Sequence, residues 1–281
     1  MPVVLSAAVR RLAGAGIETA QLDAQLLLAE AAKIDRATMF SRAVCLTPEI
    51  RAEFDAMVDR RANHEPIAYI LGRREFYSLE FEVNRDVLIP RPQTETVVDA
   101  ALEFIASQPE ARVLDLCTGP GTIAVAIAAN APLATIVAAD ISPRALAVAR
   151  GNAARNRVAD RIEFVCADLF EPLDLGAHLG LFDIIVCNPP YVSRAEIASL
   201  APDVRDFEPR SALDGGVDGL DFFRRIGPVV PLHLRLGGLL VLEVGYVQDD
   251  AVKEILASGG MRPGKIAKDL DGIVRVVTAQ R

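Results

Sequence analysis

The first part of the chain carries apolar side chains at helical spacing and shows no strand-like alternation. Ala8 and Leu12 belong to a set of apolar residues that recur every three or four positions, which predicts a first helix. A second apolar face follows Thr19, and Thr47 with a proline behind it predicts another helix start. We therefore predict a small helical domain over residues 1–72. Such a domain can be purely architectural, but domains appended to enzymes often recognise the substrate, and we expect that role here.

The pattern then changes to that of a strand pair. Residues 76–83 alternate with period two, which predicts a short hairpin, and Pro90 and Pro92 stiffen the run that follows. We interpret residues 73–92 as a β-hairpin linker and expect Thr94 to cap a helix behind it.

Short apolar runs alternate with helical stretches in the rest of the chain. Such alternation predicts a parallel sheet that is covered by helices on both faces. The last two strands have no helix between them, which predicts an antiparallel pair at one end of the sheet. The fold class is α/β and Rossmann-like, with the larger domain over residues 93–281. The predicted strands are residues 112–116, 135–139, 161–166, 182–187, 238–244, 262–267 and 273–278, and the predicted helices are residues 121–130, 143–157, 219–235 and 249–258.

Composition and charge narrow the class of function. Hydrophobic residues make up 51% and charged residues 24% of the 281 residues, which is typical of a globular protein. The net charge of −8 does not suit electrostatic binding to nucleic-acid phosphates, so direct binding of nucleic acid is disfavoured. The longest uncharged run, residues 121–139, contains Pro132 and fits a helix and a strand better than a membrane span. We expect a cytoplasmic protein with no membrane partner.

The cysteine and histidine positions argue against a metal site. The cysteines have no Cys-x-x-Cys spacing, so we expect reduced, buried thiols. The histidines are far apart and have no cysteine or histidine neighbour at ligand spacing, so a zinc site is not expected. The residues concerned are Cys45, Cys117, Cys166, Cys187, His64, His178 and His233.

A glycine-containing turn lies between the first strand of the predicted sheet and the next helix. Gly119 and Gly121 let the backbone turn sharply and approach a ligand closely, and a helix start adds free N–H groups. Asp140 ends the next strand, where a carboxylate can accept hydrogen bonds from both hydroxyls of a ribose. With Ala124, the turn also fits the dinucleotide fingerprint, so a nicotinamide-dependent oxidoreductase stays an alternative.

Two further acids favour S-adenosylmethionine as the ligand of this turn. Asp115 stands at the strand end just before the turn, where an acid can hold the turn or the aminoacyl end of the cofactor. Asp168 follows the third strand and is placed to meet an adenine amino group, while Leu169 or Phe170 packs against the adenine ring. A helix or turn cap is the alternative role of Asp168. Asp115, Asp140 and Asp168 all stand at the carboxyl edge of the sheet, where open α/β sheets bind ligands.

The residues Asn188-Pro189-Pro190-Tyr191 directly follow the fourth strand and indicate the chemistry. An amide or aromatic-amine nitrogen is a poor nucleophile, because its lone pair is delocalised. The Asn188 side-chain oxygen and the Pro189 carbonyl could accept both hydrogens of such a nitrogen, and Tyr191 could cover its flat face. A sulfonium leaving group needs orientation and electrostatics more than a strong base. We therefore expect Asn188, Pro189 and Tyr191 to carry a methyl transfer to a planar nitrogen.

With these motifs in place, the chain resembles the release-factor glutamine N5-methyltransferases from about residue 20 to its end. Asn-Pro-Pro-Tyr alone is shared with adenine-N6 and other amine methyltransferases, but its combination with Ile-Pro-Arg-Pro and this domain order is more specific. The segments that carry the resemblance are Ile89-Pro-Arg-Pro92, the glycine turn, Asn188 to Tyr191, Glu208-Pro209-Arg210, Asp218-Gly219-Leu220, Glu243-x-Gly245, and Asp269 to Gly272 with Arg275.

The resemblance implies a seven-strand class I methyltransferase domain that uses S-adenosylmethionine behind a helical N-terminal domain. It implies that the substrate is the glutamine of a Gly-Gly-Gln loop in peptide chain release factors. Asn188, Pro189, Pro190 and Tyr191 would hold the glutamine amide, and Arg91 would help to close the pocket. The implied cofactor contacts are Asp115, Cys117, Thr118, Gly119, Pro120, Gly121, Asp140, Ile141, Asp168, Leu169, Phe170 and Asn188.

The chain departs from the usual pattern of that family at three positions. The family usually has glycine at position 117 and a small polar residue at position 120, where this chain has Cys117 and Pro120. An acid is common where Gln93 stands. Cys117 puts a side chain near the expected cofactor, and Gln93 affects the role of the Ile-Pro-Arg-Pro segment. The amide-binding residues are unchanged.

Other functions remain open from the sequence alone. A ribosomal-protein glutamine is the nearest alternative target, and adenine N6 in a nucleic acid is a second. A nicotinamide-dependent oxidoreductase would leave the Asn-Pro-Pro-Tyr segment unexplained, and a binding protein without catalysis would not need a complete amide clamp.

Overall fold

The computed structural model describes residues 2–41, 46–171 and 181–281, so Cys45 and His178 lie outside the described residues. The chain divides into two compact units. Met1–Arg73 and Ala201–Phe207 form one unit, and Arg74–Leu200 with Glu208–Arg281 form the other. Residues 201–207 thus belong to the helical unit although they lie far along the chain.

The smaller unit is helical, as the apolar spacing predicts. Thr47 accepts a hydrogen bond from the Ile50 amide and caps the helix that starts at Pro48, which confirms the predicted helix start. The core includes Leu12, Leu27 and Phe54, all fully buried. The helices are α1 Pro2–Gly14, α2 Ala20–Ala31, α3 Arg36–Ser41, α4 Pro48–Ala62, α5 Ile67–Leu71 and, later in the chain, α10 Pro202–Arg205.

A buried ion pair ties α2 to α4 within this unit. Arg61 Nε lies 2.7 Å from Asp23 Oδ2, and the two side chains are 8% and 3% exposed. Arg61 Nη1 also donates to the Glu65 carbonyl at 3.1 Å and lies 4.0 Å from Asp203 Oδ2. A charge this deep depends on its partner, because removing one member leaves the other uncompensated.

The predicted hairpin is present as β1 Arg73–Phe76 and β2 Leu79–Glu82. Tyr77 and Ser78 join the strands with positive φ angles of 51° and 59°. Two consecutive positive φ angles are the signature of a type I′ turn, whose twist suits a hairpin.

The larger unit is built on a seven-stranded sheet in the order β5-β4-β3-β6-β7-β9-β8. The first five strands in this order are parallel, and β9 runs antiparallel to both β7 and β8, which confirms the predicted closing pair. Helices follow the strands as expected for a Rossmann-like α/β domain. The strands are β3 Arg112–Leu116, β4 Thr135–Asp140, β5 Ile162–Cys166, β6 Phe182–Cys187, β7 Leu234–Glu243, β8 Arg262–Lys268 and β9 Val274–Gln280. The helices are α6 Glu95–Ile105, α7 Thr122–Asn130, α8 Pro143–Arg155, α9 Arg194–Ile197, α11 Asp221–Ile226, α12 Val230–His233 and α13 Asp249–Ser258.

Three local predictions were wrong. The helix expected over residues 219–235 is broken into α11 and α12 at Gly227-Pro228, because proline lacks an N–H and disfavours helix in the residue before it. Thr94 stands before α6, but its side chain forms no capping hydrogen bond. Of the cysteines expected to be buried, Cys187 is buried, whereas Cys117 is partly exposed and Cys166 is exposed.

None of the helices in the described part of the chain combines the length and apolar character that a bilayer span requires. The uncharged run at residues 121–139 forms α7 and most of β4, as predicted.

We expect Arg61→Met to lower the free energy of unfolding by about 3–5 kcal/mol, because Asp23 is then left buried without a partner. The double variant Asp23→Leu/Arg61→Met should regain most of that loss. Arg51→Met is the matched control on the same helix, since Arg51 and its partner Asp55 are 45% and 49% exposed, and it should cost less than about 1 kcal/mol. Urea denaturation of the full chain measures all three, and equal losses for Arg51 and Arg61 would contradict the expectation.

Candidate active site

The parallel register brings three strand ends to one edge of the sheet. Leu116 at the end of β3 pairs with Ala139 in β4 on one side and with Cys187 in β6 on the other. The residues that follow these strands therefore emerge side by side. They are the glycine turn, Asp140 and Asn188.

The glycine turn winds through left-handed backbone. Cys117, Gly119 and Gly121 have φ angles of 57°, 55° and 82°. A Cβ on Gly121 would also lie 3.1 Å from the Ala149 Cβ of α8, so the close packing of α7 on α8 leaves little room for a side chain. Cys117 has the same conformation with a Cβ, which costs about 1 kcal/mol relative to ordinary backbone. This explains why glycine is the usual residue at that position.

Asp115 holds the turn from below. Its Oδ2 accepts hydrogen bonds from the Thr118 hydroxyl at 2.6 Å and from the Ala124 amide at 3.1 Å. Its Oδ1 is buried without a hydrogen-bond partner. Burial raises the pKa of Asp115 to about 7, against the opposing effect of the Thr118 and Ala124 hydrogen bonds.

Asp140 lies beside the turn with its carboxylate fixed by backbone amides. Oδ2 accepts from the Gly119 amide at 2.9 Å, and Oδ1 accepts from the Ser142 amide at 2.8 Å. Each oxygen keeps a further lone pair, so the carboxylate can still accept hydrogen bonds from a diol. Burial raises the pKa of Asp140 above its ordinary value.

In the segment after β5, Phe170 lies apart from Asp168 and Leu169, although the sequence predicted one cofactor-binding group of all three. Asp168 forms an ion pair with Arg225 at 2.8 Å and also pairs with Glu171 through the backbone. Leu169 lines the cleft described below, whereas Phe170 stacks on the His233 ring with centroids 4.7 Å apart.

The Asn-Pro-Pro-Tyr segment is held by side chains from other elements. Asn188 Nδ2 donates to the Thr94 hydroxyl at 3.3 Å, and the Tyr191 hydroxyl donates to Glu243 Oε1 at 3.0 Å. Gln248 Nε2 donates to the Tyr191 carbonyl at 3.0 Å. The orientation of this segment is therefore set from behind.

Close backbone packing also fixes Tyr191. A Cβ on Gly215 would lie 2.7 Å from the Tyr191 Cα, a distance that real side chains do not reach. The loop at Gly215 can approach Tyr191 only because no side chain intervenes. This contact gives a physical reason for glycine beside the Asp218-Gly219-Leu220 segment.

Glu208 anchors the Ile-Pro-Arg-Pro segment. Its Oε2 accepts from the Ile89 amide at 3.1 Å, and its Oε1 lies 2.5 Å from Arg91 Nη2. The Glu208 side chain is 1% exposed, and that of Arg91 is 27% exposed. One buried carboxylate thus holds both the backbone and the guanidinium of this segment.

A cleft at the sheet edge collects most of the residues expected from the sequence. The predicted site residues that line it are Arg91, Cys117, Thr118, Gly119, Pro120, Asp140, Ile141, Asp168, Leu169, Asn188 and Pro190. Asp115, Gly121 and Tyr191 support this lining from behind, and Phe170 packs on His233. Pro189 stands in the chain between Asn188 and Pro190, which both line the cleft.

The charge of the cleft favours a cationic ligand. Among the described residues that line it, Asp86, Asp140 and Asp168 are acidic, and Arg91 is the one base. Arg91 already pairs with Glu208, and Asp86 and Asp168 pair with Arg144 and Arg225, so Asp140 is the acid that keeps this lining negative. Such a cleft attracts a sulfonium or ammonium group and disfavours the pyrophosphate of a nicotinamide dinucleotide. The carboxylate of Asp140 and the negative cleft therefore fit S-adenosylmethionine.

Three polar residues at the site have no catalytic or binding role in the sequence-based prediction. Thr94 lines the cleft, Glu243 lies behind Tyr191, and Glu208 lies behind Arg91. Glu208 and Glu243 occur in the segments that carry the family resemblance, and this was the available signal. Their partners are 117 and 52 residues away in sequence, so local spacing cannot identify them.

We expect the free energy of unfolding of the Asp115→Asn variant, compared with that of wild type, to be higher at pH 8 than at pH 5. The folded-state pKa of Asp115 is raised from 3.8 to about 7, so its stabilising contribution is full below about pH 4 and is lost as the pH rises through 7. The amide cannot ionise, so the variant should gain more than about 1 kcal/mol over wild type between pH 5 and pH 8. Thermal unfolding at both values measures this, with the exposed Asp160→Asn as control. An equal pH dependence in wild type and Asp115→Asn would contradict it.

Cys117→Gly should raise the free energy of unfolding by about 1 kcal/mol, because glycine adopts the positive φ angle without a Cβ clash. Cys117→Ala keeps the Cβ and removes only the thiol, so it separates the backbone effect from the loss of sulfur. Urea denaturation compares the two variants. A glycine variant no more stable than the alanine variant would show that the backbone at this position is not strained.

Comparisons with known proteins identify the family. Residues 4–72 match the PrmC N-terminal domain model and residues 95–202 match the methyltransferase small domain model. The release factor glutamine methyltransferase of Cereibacter sphaeroides is 45% identical over 98% of this chain and 96% of its own length. That of Geobacter sulfurreducens is 43% identical, over 95% of this chain and 91% of its own.

Among solved structures, the hMettl16 catalytic domain in complex with MAT2A 3'UTR hairpin 6 superposes with a TM-score of 0.59 at 18% identity. The match covers 80% of this chain and 81% of that chain, and it shows the fold alone. The sheet order, the helical unit and the sequence relatives together confirm the fold class and the resemblance seen in the sequence. The chain belongs to the release factor glutamine methyltransferase family.

Proposed function

We propose that this enzyme transfers the methyl group of S-adenosylmethionine to the side-chain amide nitrogen of the glutamine in the Gly-Gly-Gln loop of peptide chain release factors. The observation that carries the proposal is the position of Asn188, which lines the same cleft as Asp140 and the glycine turn. A planar amide bound there would contact both the cofactor site and the residues that clamp the amide.

S-adenosylmethionine supplies a methyl group on a cationic sulfur, which leaves as a neutral thioether. The side chains of the cleft would hold this cation: Asp140 can accept the ribose hydroxyls, and the negative lining favours its positive charge. Leu169, which is buried and lines the cleft, offers an apolar surface to the adenine ring.

The clamp orients the target nitrogen for methyl transfer. Asn188 Oδ1 and the Pro189 carbonyl accept the two amide hydrogens and hold the lone pair toward the methyl group. In the transfer the nitrogen gains the methyl group and loses one hydrogen as a proton to water. Electrostatic stabilisation by fixed acceptors is the main contribution of the protein, because the leaving group is already charged.

The clamp would also suit an adenine amino group or a glutamine of a ribosomal protein. The net charge of −8 disfavours a nucleic-acid target, and the relatives named above support a release factor. We further propose that the helical unit contributes to recognition of the release factor, and that the enzyme works in the cytoplasm, where peptide release takes place.

The proposal is tested by labelled methyl transfer to an unmethylated release factor and to the same factor with its loop glutamine changed to alanine. Label should appear on the first protein only. Asn188→Ala should lower the rate by on the order of 10²–10³, the loss typical of one fixed polar group in an active site.

Asn130→Ala is the matched control. The Asn130 side chain is exposed and donates to the Ala126 carbonyl at 2.9 Å, so this variant should leave the transfer unchanged. Label on both release factors would show a different target atom. Label on neither, with S-adenosylmethionine bound, would direct the search to ribosomal proteins and nucleic acids.

A further inference from the structure

The use of Tyr191 in the amide clamp depends on where its ring points. Tyr191 directly follows Pro190, which lines the cleft, and its side chain is partly exposed. The ring is joined to the backbone through two rotatable bonds, so a fixed backbone alone leaves more than one side-chain rotamer open. A ring that covers the flat face of a target amide has to keep one of these rotamers. A second point of attachment is therefore needed at the far end of the ring.

The backbone end of Tyr191 is held by the segment that follows β7. Gln248 Nε2 donates to the Tyr191 carbonyl at 3.0 Å, and Gln248 Oε1 accepts from the Gly245 amide at 2.9 Å. A Cβ on Gly245 would lie 3.1 Å from Tyr191 Cδ2, so the Gly245 backbone packs closely against one side of the ring. These contacts fix the start of the side chain and close one side of the ring.

Glu243, the last residue of β7, holds the hydroxyl end of the ring. The Tyr191 hydroxyl donates to Glu243 Oε1 at 3.0 Å. Glu243 is fully buried, and its strand pairs with β6 on one side and with β9 on the other, so the carboxylate cannot follow a moving ring. Burial raises the pKa of Glu243 to about 6, so the carboxylate is largely ionised at neutral pH and only accepts hydrogen bonds.

A carboxylate is a costly side chain for this place in the core. Glu243 Oε2 is buried and has no hydrogen-bond partner among the described residues. A buried acceptor without a partner lowers the stability of the folded state, and an apolar side chain of similar size would avoid that loss. The stability of the fold therefore does not explain a glutamate at this position, whereas the hydrogen bond to Tyr191 does.

We infer that Glu243 is a positioning residue of the methyl transfer, which acts through the Tyr191 hydroxyl and fixes the Tyr191 ring for the target amide. Gln248 binds the carbonyl of Tyr191 and Glu243 binds its hydroxyl, so residues 243–248 attach both ends of the tyrosine. The ring is then in place before the substrate binds. The inference rests on the proposed function, from which it takes the role of Tyr191.

The first test compares Glu243→Leu with Glu243→Gln. Leucine cannot accept from the Tyr191 hydroxyl, so kcat should fall by on the order of 10²-fold, the loss expected when a group in the site is misplaced. The affinity for S-adenosylmethionine should stay at the wild-type value. The unfolding temperature should not fall, because a buried charge is removed, whereas a purely structural role predicts a loss of stability. Glutamine can still form a hydrogen bond with the hydroxyl and should recover most of the lost rate.

Tyr77→Phe is the matched control, because the Tyr77 hydroxyl donates to Asp99 Oδ1 at 2.8 Å and neither residue lines the cleft. This variant removes the same kind of hydrogen bond outside the site and should keep wild-type kcat. An equal loss in Glu243→Leu and Glu243→Gln, or no loss in Glu243→Leu, would overturn the inference.

The second test uses Tyr191→Phe, which keeps the ring and removes only the hydroxyl. Its kcat should fall about as far as that of Glu243→Leu, because both variants break the same hydrogen bond. The double variant Tyr191→Phe/Glu243→Leu should be no slower than the slower single variant, since residues that act as a unit are not additive. Multiplied losses in the double variant would show that Glu243 acts independently of the Tyr191 hydroxyl, which contradicts the inference.

The outcomes separate this inference from the proposed function. A wild-type enzyme that does not methylate the release factor would reject the proposed function itself. An active wild type with a fully active Tyr191→Phe variant would keep the function and reject the role of Glu243.

Discussion

The parallel register of β3 with β4 and β6 is the constraint on which the rest of the site depends. Leu116 is the shared register position, and its neighbours Ala139 and Cys187 end their strands beside it. Because these strands are buried on both faces, a one-residue slip would exchange the side chains of two faces that pack in different core clusters, so the register is strongly specified. The cofactor turn and the amide clamp therefore meet without a long flexible loop between them.

Carboxylates perform most of the positioning at this edge, and each does so from a buried place. Asp115 and Glu243 are fully buried and each keeps one oxygen without a hydrogen-bond partner. Burial disfavours their ionised forms, so both reduce the stability of the folded state near neutral pH. The buried carboxylates have a functional benefit, because an acceptor that cannot donate fixes the direction of every hydrogen bond it receives. Stability is lower where the chemistry needs a defined polarity.

The sequence predicted most of the sheet and much of the cleft, because both follow from short-range periodicity. The strand ends, the glycine turn, Asp140 and Asn188 are each marked by their neighbours in the chain. Thr94 shows where this reasoning ends: a threonine before a helix predicts a cap, yet its hydroxyl accepts a hydrogen bond from Asn188. That contact spans 94 residues of sequence and exists only after the sheet has formed. The separation of Phe170 from Leu169 has the same origin, since the partner ring of His233 lies on a distant element.

The chemistry of the target explains why orientation matters more here than a strong base. A glutamine amide and the Asn188 side chain are the same functional group, so a misoriented clamp would place hydrogens against hydrogens. An adenine amino group presents the same two hydrogens, and the clamp alone cannot distinguish it from glutamine. Discrimination must therefore come from the shape of the cleft around the clamp. Arg91 lines that cleft and is held by Glu208, which also fixes the Ile89 backbone. The Ile-Pro-Arg-Pro segment thus shapes the wall of the cleft, and the Asn-Pro-Pro-Tyr segment supplies the hydrogen-bonding groups of the clamp.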